Sequence, residues 1–161
     1  MQLVCALSLL VALVPGPQAT AAKPAAKAAT PSAKGVRTVE LTSGDDMKYS
    51  QTQIAAKPGE TLHVVLKNVG TVPKIAMAHN FVLLTLTADP AAFITASVNA
   101  RETDYVPQDK KADILASTKL AGPGETVEAT FKVPAKAGSY TYLCTFPGHY
   151  ATGMKGQLVV Q

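Results

Sequence analysis

Short segments in which polar and apolar residues alternate follow one another from Val36 to the end of the chain. The pattern is most regular in residues 61–67 and 126–133, where an apolar residue recurs at every second position. Such alternation places one face of a strand in a core and the other in solvent. Turn-forming residues such as Pro58 and Gly59 separate the segments. The pattern predicts an all-β fold, an antiparallel β-sandwich of about seven or eight short strands. The predicted strands cover residues 36–41, 47–54, 61–67, 80–87, 126–133, 138–144 and 156–160.

One segment departs from this alternation. Asp89 is a suitable helix N-cap, Pro90 suits the first helical position, and good helix formers follow. We expect a short helix over residues 90–100 and a polar loop over residues 101–111. The sandwich therefore carries one short helical insertion.

The N-terminus has the pattern of an export signal. Residues 1–22 carry no charged side chain, and residues 3–14 are almost wholly apolar, which is too short a run to span a membrane. Proline and glycine at 15–17 end the run, and small residues follow at the two positions that a signal peptidase reads. We predict a signal peptide over residues 1–22, cleaved after Ala21 or Ala22, and hence a periplasmic protein. The alternative is a buried N-terminal helix.

The next segment separates the signal from the domain. Residues 23–35 are rich in Ala, Lys and Pro and have no large apolar side chain, which predicts a linker to a single domain at 36–161. Three of the 15 Lys and Arg residues lie in this linker, so the domain carries 12 basic and 11 acidic residues. This near balance argues against nucleic-acid binding. No apolar run reaches the ~18 residues of a membrane-spanning helix, so we expect no transmembrane span.

Metal-binding residue types are concentrated near the C-terminus. Cys5 lies in the predicted signal peptide, which leaves Cys144 as the only thiol of the exported domain, and His149 and Met154 follow it closely. The predicted strand before Cys144 places the thiol at a sheet end, and a Pro-Gly turn at 147–148 lets His149 face the same point. A Cys thiolate, two imidazoles and a distant Met thioether form the blue-copper ligand set. A second histidine must therefore come from elsewhere.

Two histidines are available for this role. His63 lies in the middle of a predicted strand and out of phase with the inward-facing residues, so we expect it to face outward as an ordinary residue. His79 lies at the entrance of the predicted strand 80–87, where a loop at the end of a sandwich can meet the 144–154 segment. His79 is therefore the better candidate.

Several stretches are similar to those of one known family. The matching stretches are residues 77–83, 104–107, 118–120, 124–125, 144–149 and 154–156. With them the domain resembles the azurin and auracyanin branch of the cupredoxins, which are small blue copper electron carriers. The resemblance implies a Greek-key β-sandwich that holds one Cu(I)/Cu(II) ion. It implies that His79, Cys144 and His149 bind the copper and that Met154 is the weak axial ligand.

The resemblance also implies roles for the neighbours of these ligands. Asn80 would tie the two ligand loops together by hydrogen bonds, and Thr145 would lie beside the thiolate. Ala78 stands where azurins have a glycine whose carbonyl approaches the copper. In this family electrons pass through the ligand nearest the surface, here His149. The residues expected around it, in a patch that docks partners, are Ala76, Met77, Phe146, Pro147, Gly148, Tyr150 and Ala151. The chain would then be a monomeric electron carrier, not an enzyme, whose partners are redox proteins such as c-type cytochromes or copper oxidoreductases.

Other functions remain open from the residues alone. A copper store or chaperone would use the same soft ligands, but it usually has Met-rich or His-rich tracts, which this sequence lacks. A copper enzyme would need a second copper centre and more than the one remaining histidine, His63. Zinc suits Cys and His ligands but would leave Met154 without a role. An adhesion or carbohydrate-binding sandwich would leave the whole 144–154 segment unexplained.

Overall fold

The computed structural model describes residues 31–32 and 35–161, and these form nine strands in two sheets. The strands are β1 (Pro31–Ser32), β2 (Val36–Ser43), β3 (Gln53–Ala56), β4 (Thr61–Asn68), β5 (Val82–Leu84), β6 (Ile114–Ser117), β7 (Thr126–Lys132), β8 (Gly138–Leu143) and β9 (Lys155–Val160). One sheet has the order β1-β2-β4-β7 and the other β3-β9-β8-β5-β6. The predicted β-sandwich is confirmed.

Two strand pairs differ from the antiparallel arrangement that we expected. β2 pairs with β4 in parallel, and β3 pairs with β9 in parallel, whereas the other pairs are antiparallel. The reason is that β3, between β2 and β4 in the chain, belongs to the opposite sheet. The chain thus crosses the sandwich and returns, which is the kind of connection that parallel neighbours need.

The main core lies between the two sheets. Leu62, Val64 and Leu66 of β4 are fully buried, as the alternation of that strand predicts. Each such side chain contributes about 1.5–3 kcal/mol on burial. His63 lies on the other face of β4, where its Nε2 is 3.1 Å from a carboxylate oxygen of Glu128 on β7. The prediction that His63 faces away from the core is therefore confirmed.

The helical insertion has a core of its own. Helix α1 spans Pro90–Ser97, three residues shorter than predicted, and the Asp89 carboxylate caps it by accepting from Ala91 N at 2.9 Å. Phe93 and Val106 of the insertion pack with buried residues of the β5/β8 sheet. The region that we predicted as loop contains two 3-10 helices, Arg101–Thr103 and Gln108–Asp113. The insertion is thus a packed part of the domain.

Two predicted strands are wrong in extent, and two observed strands were not predicted. The strand predicted over 47–54 is displaced to β3, because Met47 has a φ of 54°, which is incompatible with extended backbone. The strand predicted over 80–87 is reduced to β5. The two strands that were not predicted are β1, which lies in the predicted linker, and β6, whose four residues are too few to show a clear alternation. The other five predicted strands match within two residues.

The predictions for the N-terminus fall mostly outside the described residues. This applies to the signal peptide at 1–22 and to the linker at 23–35 except for residues 31–32 and Gly35. Residues 31–32 form β1, which pairs with the start of β2. Within the described part of the chain, no helix has the length and apolar character needed to cross a membrane.

Candidate metal centre

Three buried side chains, those of His79, Cys144 and His149, meet at one end of the sandwich, and a fourth predicted residue, Met154, is bonded to two of them through its backbone. His79 precedes β5 and is fixed by two backbone hydrogen bonds to Ala121, of 3.0 and 2.7 Å. Cys144 directly follows β8, and His149 and Met154 lie in the loop between β8 and β9. All four side chains are buried. The loop between β8 and β9, residues 144–154, is called the ligand loop below.

Three of the four residues bring potential ligand atoms together. One such atom from each of His79, Cys144 and His149 lies within 4.8 Å of the others. Cys144 Sγ is 3.5 Å from His149 Nδ1, and the two imidazole rings have centroids 4.9 Å apart. The structure thus places His79, from a distant part of the chain, close to Cys144 and His149 of the ligand loop.

Met154 lies beside this trio. Its backbone carbonyl accepts a hydrogen bond from Cys144 N at 3.2 Å, and its N–H donates to the His149 carbonyl at 2.9 Å. The side chain is fully buried and belongs to the main core cluster, as does Cys144. These two hydrogen bonds fix the position of the Met154 backbone relative to Cys144 and His149.

Glycine shapes the ligand loop at two positions. Gly148 has a φ of 87° and Gly153 a φ of 93°, a region that side chains with a Cβ rarely adopt. The loop closes through hydrogen bonds from His149 N to Phe146 O (3.1 Å) and from Gly153 N to Tyr150 O (3.0 Å). These tight turns reverse the direction of the chain, so that His149 faces Cys144, as the Pro-Gly sequence predicts.

The donor set is desolvated and suits a soft or borderline metal ion. Both ring nitrogens of His79 are buried without a hydrogen-bond partner, which is costly unless something else binds them. Burial raises the pKa of the Cys144 thiol to about 12. Burial, and to a lesser degree the neighbouring His79, lowers the pKa of His149 to about 4. Burial also lowers the pKa of His79. Both shifts favour the neutral imidazole, whose lone pair can bind a metal, and one sulfur with two nitrogens suits copper or zinc.

Asn80 joins the segments that carry the three residues. Its Oδ1 accepts from Thr145 N at 2.9 Å, and its Nδ2 donates to Thr145 Oγ1 at 2.7 Å. Nδ2 also donates to the Asp104 carbonyl at 3.1 Å, and the buried Tyr49 hydroxyl donates to the Asn80 carbonyl at 2.5 Å. The amide of Asn80 thus lies where we expected it, between the two predicted ligand segments.

Ala78 is the remaining predicted neighbour. It is fully buried, and its carbonyl oxygen lies 4.0 Å from Cys144 Sγ. The carbonyl therefore faces the same enclosed region as the thiol.

The residues of the predicted docking patch differ in their exposure. Of the predicted patch, Ala76, Pro147, Gly148 and Ala151 are exposed, whereas Met77, Phe146 and Tyr150 are half-buried. Sequence analysis missed two residues here. Ile75 is 80% exposed. Its position in a loop, between Lys74 and Ala76, could have indicated from the sequence that this apolar residue is exposed. Tyr105, half-buried, packs its ring against Phe146 and lies in the matched stretch 104–107.

Comparisons with known proteins agree with this site. The family model described as "Copper binding proteins, plastocyanin/azurin family" matches residues 36–161. Auracyanin-A of Chloroflexus aurantiacus is 38% identical over 132 residues, which are 80% of this chain and 77% of auracyanin-A. Azurin of Pseudomonas denitrificans is 38% identical over 127 residues, which are 76% of this chain and 97% of the azurin. The solved structure of auracyanin A, a "blue" copper protein from Chloroflexus aurantiacus, aligns with a TM-score of 0.70 and 37% identity, covering 79% of this chain and all of that one.

Proposed function

Because this chain belongs to the plastocyanin/azurin family of copper binding proteins, we propose that His79, Cys144 and His149 bind its copper and that Met154 is the weak axial ligand. The chain is a blue copper electron-transfer protein and not an enzyme, and one copper ion is its cofactor. The observation that carries the assignment of ligands is the buried cluster of one thiol and two imidazoles with ligand atoms within 4.8 Å.

In electron transfer, the role of the chain is to keep the metal-ligand atoms in fixed positions. Copper, when bound, takes up and releases a single electron. Cys144 supplies a thiolate and gives up its proton on binding, since only the thiolate is a strong ligand. His79 and Cys144 adjoin paired strands and Asn80 bridges their segments, so the donors need to move little between oxidation states. The enclosed site also excludes water.

The copper-loaded protein is expected to be intensely blue. One equivalent of Cu(II) added to the purified chain should give a strong thiolate-to-copper absorption band and narrow copper hyperfine splitting in the EPR spectrum. His63→Ala is the matched control, since His63 pairs with Glu128 on the sheet and not with the cluster. Its spectra should equal those of the parent. A pale parent complex with ordinary wide splitting would contradict the proposed ligands.

The apolar patch around His149 is the proposed docking surface. Of its candidate residues, Ile75, Ala76 and Pro147 are exposed, and Met77 and Phe146 are half-buried. An exposed apolar patch of this kind suits small and short-lived contacts. The partners are redox proteins, and we propose c-type cytochromes or copper oxidoreductases met by a monomer in the periplasm, after export directed by residues 1–22.

A charge in this patch should slow electron exchange between copies. In Ala76→Asp, two carboxylates face each other whenever two copies meet patch to patch, and we expect self-exchange at least about tenfold slower. Ala135→Asp is the matched control, because Ala135 is equally classed as exposed but lies in the β7–β8 turn, at the far end of β8 from Cys144. NMR line broadening in mixtures of oxidised and reduced protein measures the rate. Equal rates in both variants would remove the patch from the proposal.

A further inference from the structure

We propose that the helical insertion braces His149 through Tyr105, whose ring holds Phe146 against the imidazole. Tyr105 is thus a positioning residue for electron transfer. The inference rests on the proposed role of His149 as a copper ligand, and it gives a role to the Asp104-Tyr105 stretch, which the ligand set leaves without one.

Aromatic contacts connect the insertion to the metal centre. The Tyr105 ring meets the Phe146 ring edge to face, with centroids 5.4 Å apart and an interplanar angle of 68°. The Phe146 ring lies on His149, with centroids 4.8 Å apart, and His149 lies 4.9 Å from His79. These separations are those of favourable aromatic pairs. A row of rings therefore leads from the insertion to both imidazoles.

The backbone at Tyr105 is held in an uncommon conformation. Asp104 has a φ of 54° and Tyr105 a φ of 60°, so two successive residues other than glycine are left-handed. Such a conformation persists only where surrounding contacts enforce it. Here Tyr105 N donates to the Ala100 carbonyl at 2.9 Å, and Asp104 N donates to the Arg101 carbonyl at 3.2 Å. This turn places the Tyr105 ring at Phe146.

The same turn is bonded to the ligand segments. Asn80 Nδ2 donates both to the Asp104 carbonyl and to Thr145 Oγ1. Thr145 directly precedes Phe146 in the ligand loop. One amide group thus sets the turn that carries Tyr105 relative to the loop segment that carries Phe146.

The insertion also contacts the ligand loop beyond His149. Tyr150 packs on the hydrophobic cluster that contains Phe93 and Val106 of the insertion. Phe146, which contacts the His149 ring, and Tyr150, the next residue in the chain, thus both contact the insertion. Phe146 is half-buried and packs on the main core cluster as well as on Tyr105, so removal of the Tyr105 ring would take away one of its two supports and give His149 more freedom to move.

The test replaces the ring and measures the ligand. In Tyr105→Ala we expect the copper-loaded protein to show changed intensities of the thiolate-to-copper bands and a changed hyperfine splitting. Self-exchange should be about tenfold slower, in line with the cost of small misplacements of reacting groups. In the metal-free protein, the NOE between the Phe146 and His149 rings should be lost. Tyr105→Phe keeps the ring and should restore all three readouts, and Val98→Ala, an exposed position of the insertion, should change none.

The outcomes separate this inference from the proposed function. A parent protein that is not blue refutes the ligand assignment, while the NOE in the metal-free protein still tests the brace. Tyr105→Ala with parental spectra and a retained NOE overturns the brace even if exchange slows, because Tyr105 would then only touch the partner. A change that Tyr105→Phe fails to restore also overturns it. Should Tyr105→Ala fail to fold, Tyr105→Leu, which keeps the volume without the ring, is judged by the same criteria.

Discussion

The Cys144→Ser variant, loaded with Cu(II), is expected to lose the intense blue absorption altogether. The band arises from charge transfer from a thiolate to copper, and a serine hydroxyl is a hard, weakly acidic group that cannot replace it. Cys144 is fully buried, with Sγ 3.5 Å from His149 Nδ1. Serine has nearly the same shape, so the fold should be retained at a cost of about 1–3 kcal/mol for the buried hydroxyl. Absorption and EPR spectra at one equivalent of Cu(II) provide the measurement.

This variant also separates the candidate functions. Circular dichroism of the metal-free Cys144→Ser protein should match the parent, which ensures that lost colour does not reflect lost structure. A variant that stays blue would show that the sulfur is not a ligand. If neither parent nor variant is blue although both bind copper, a copper store or chaperone would become the better explanation. Failure of both to bind copper would favour an adhesion or carbohydrate-binding role.

The choice between the two candidate histidines shows what a sequence pattern can predict. The side chains of a strand alternate between its faces, so the phase of Leu62, Val64 and Leu66 alone places His63 away from the core. The position of His79 at a strand entrance favours it as the second histidine, and the structure brings it within reach of Cys144 and His149. Regular alternation and short spacing are local properties, and they were sufficient for this part of the site.

Other features depend on contacts between distant segments. The parallel pairing of β2 with β4 follows from the sheet to which β3 belongs, and no local pattern specifies this. β6 is an edge strand of only four residues, Ile-Leu-Ala-Ser, which is too short to show the polar/apolar alternation of the longer strands. The left-handed backbone of Asp104 and Tyr105 contains no glycine and is held by local bonds to Ala100 and Arg101 and by the Asn80 amide of a distant segment. The ring contact of Tyr105 with Phe146 was therefore beyond prediction from sequence.

Replacing Asn80 with alanine should loosen the site and destabilise the fold. Asn80 makes three buried or half-buried hydrogen bonds, to Thr145 N, Thr145 Oγ1 and the Asp104 carbonyl. Thr145 is buried, so its N–H would be left without a partner, and we expect the metal-free protein to lose about 2–4 kcal/mol of unfolding free energy. Copper affinity should fall about ten- to a hundredfold, the usual cost of removing a group that orients ligands. Urea denaturation and competition with a copper chelator measure the two effects.

Two further variants test whether the effect of Asn80→Ala comes from its hydrogen bonds to Thr145, which join the His79 and Cys144 segments. Gln51→Ala removes an amide whose single hydrogen bond, to the Glu40 carbonyl at 2.8 Å, is exposed, so it should cost less than about 0.5 kcal/mol. Thr145→Val removes only the hydroxyl and keeps the N–H bond to Asn80. Combined with Asn80→Ala, it should add less than the sum of the two single changes, because both remove the same Nδ2–Oγ1 bond. Strict additivity, or a metal-free Asn80→Ala protein as stable as the parent, would show that the bridge does not hold the ligand segments together.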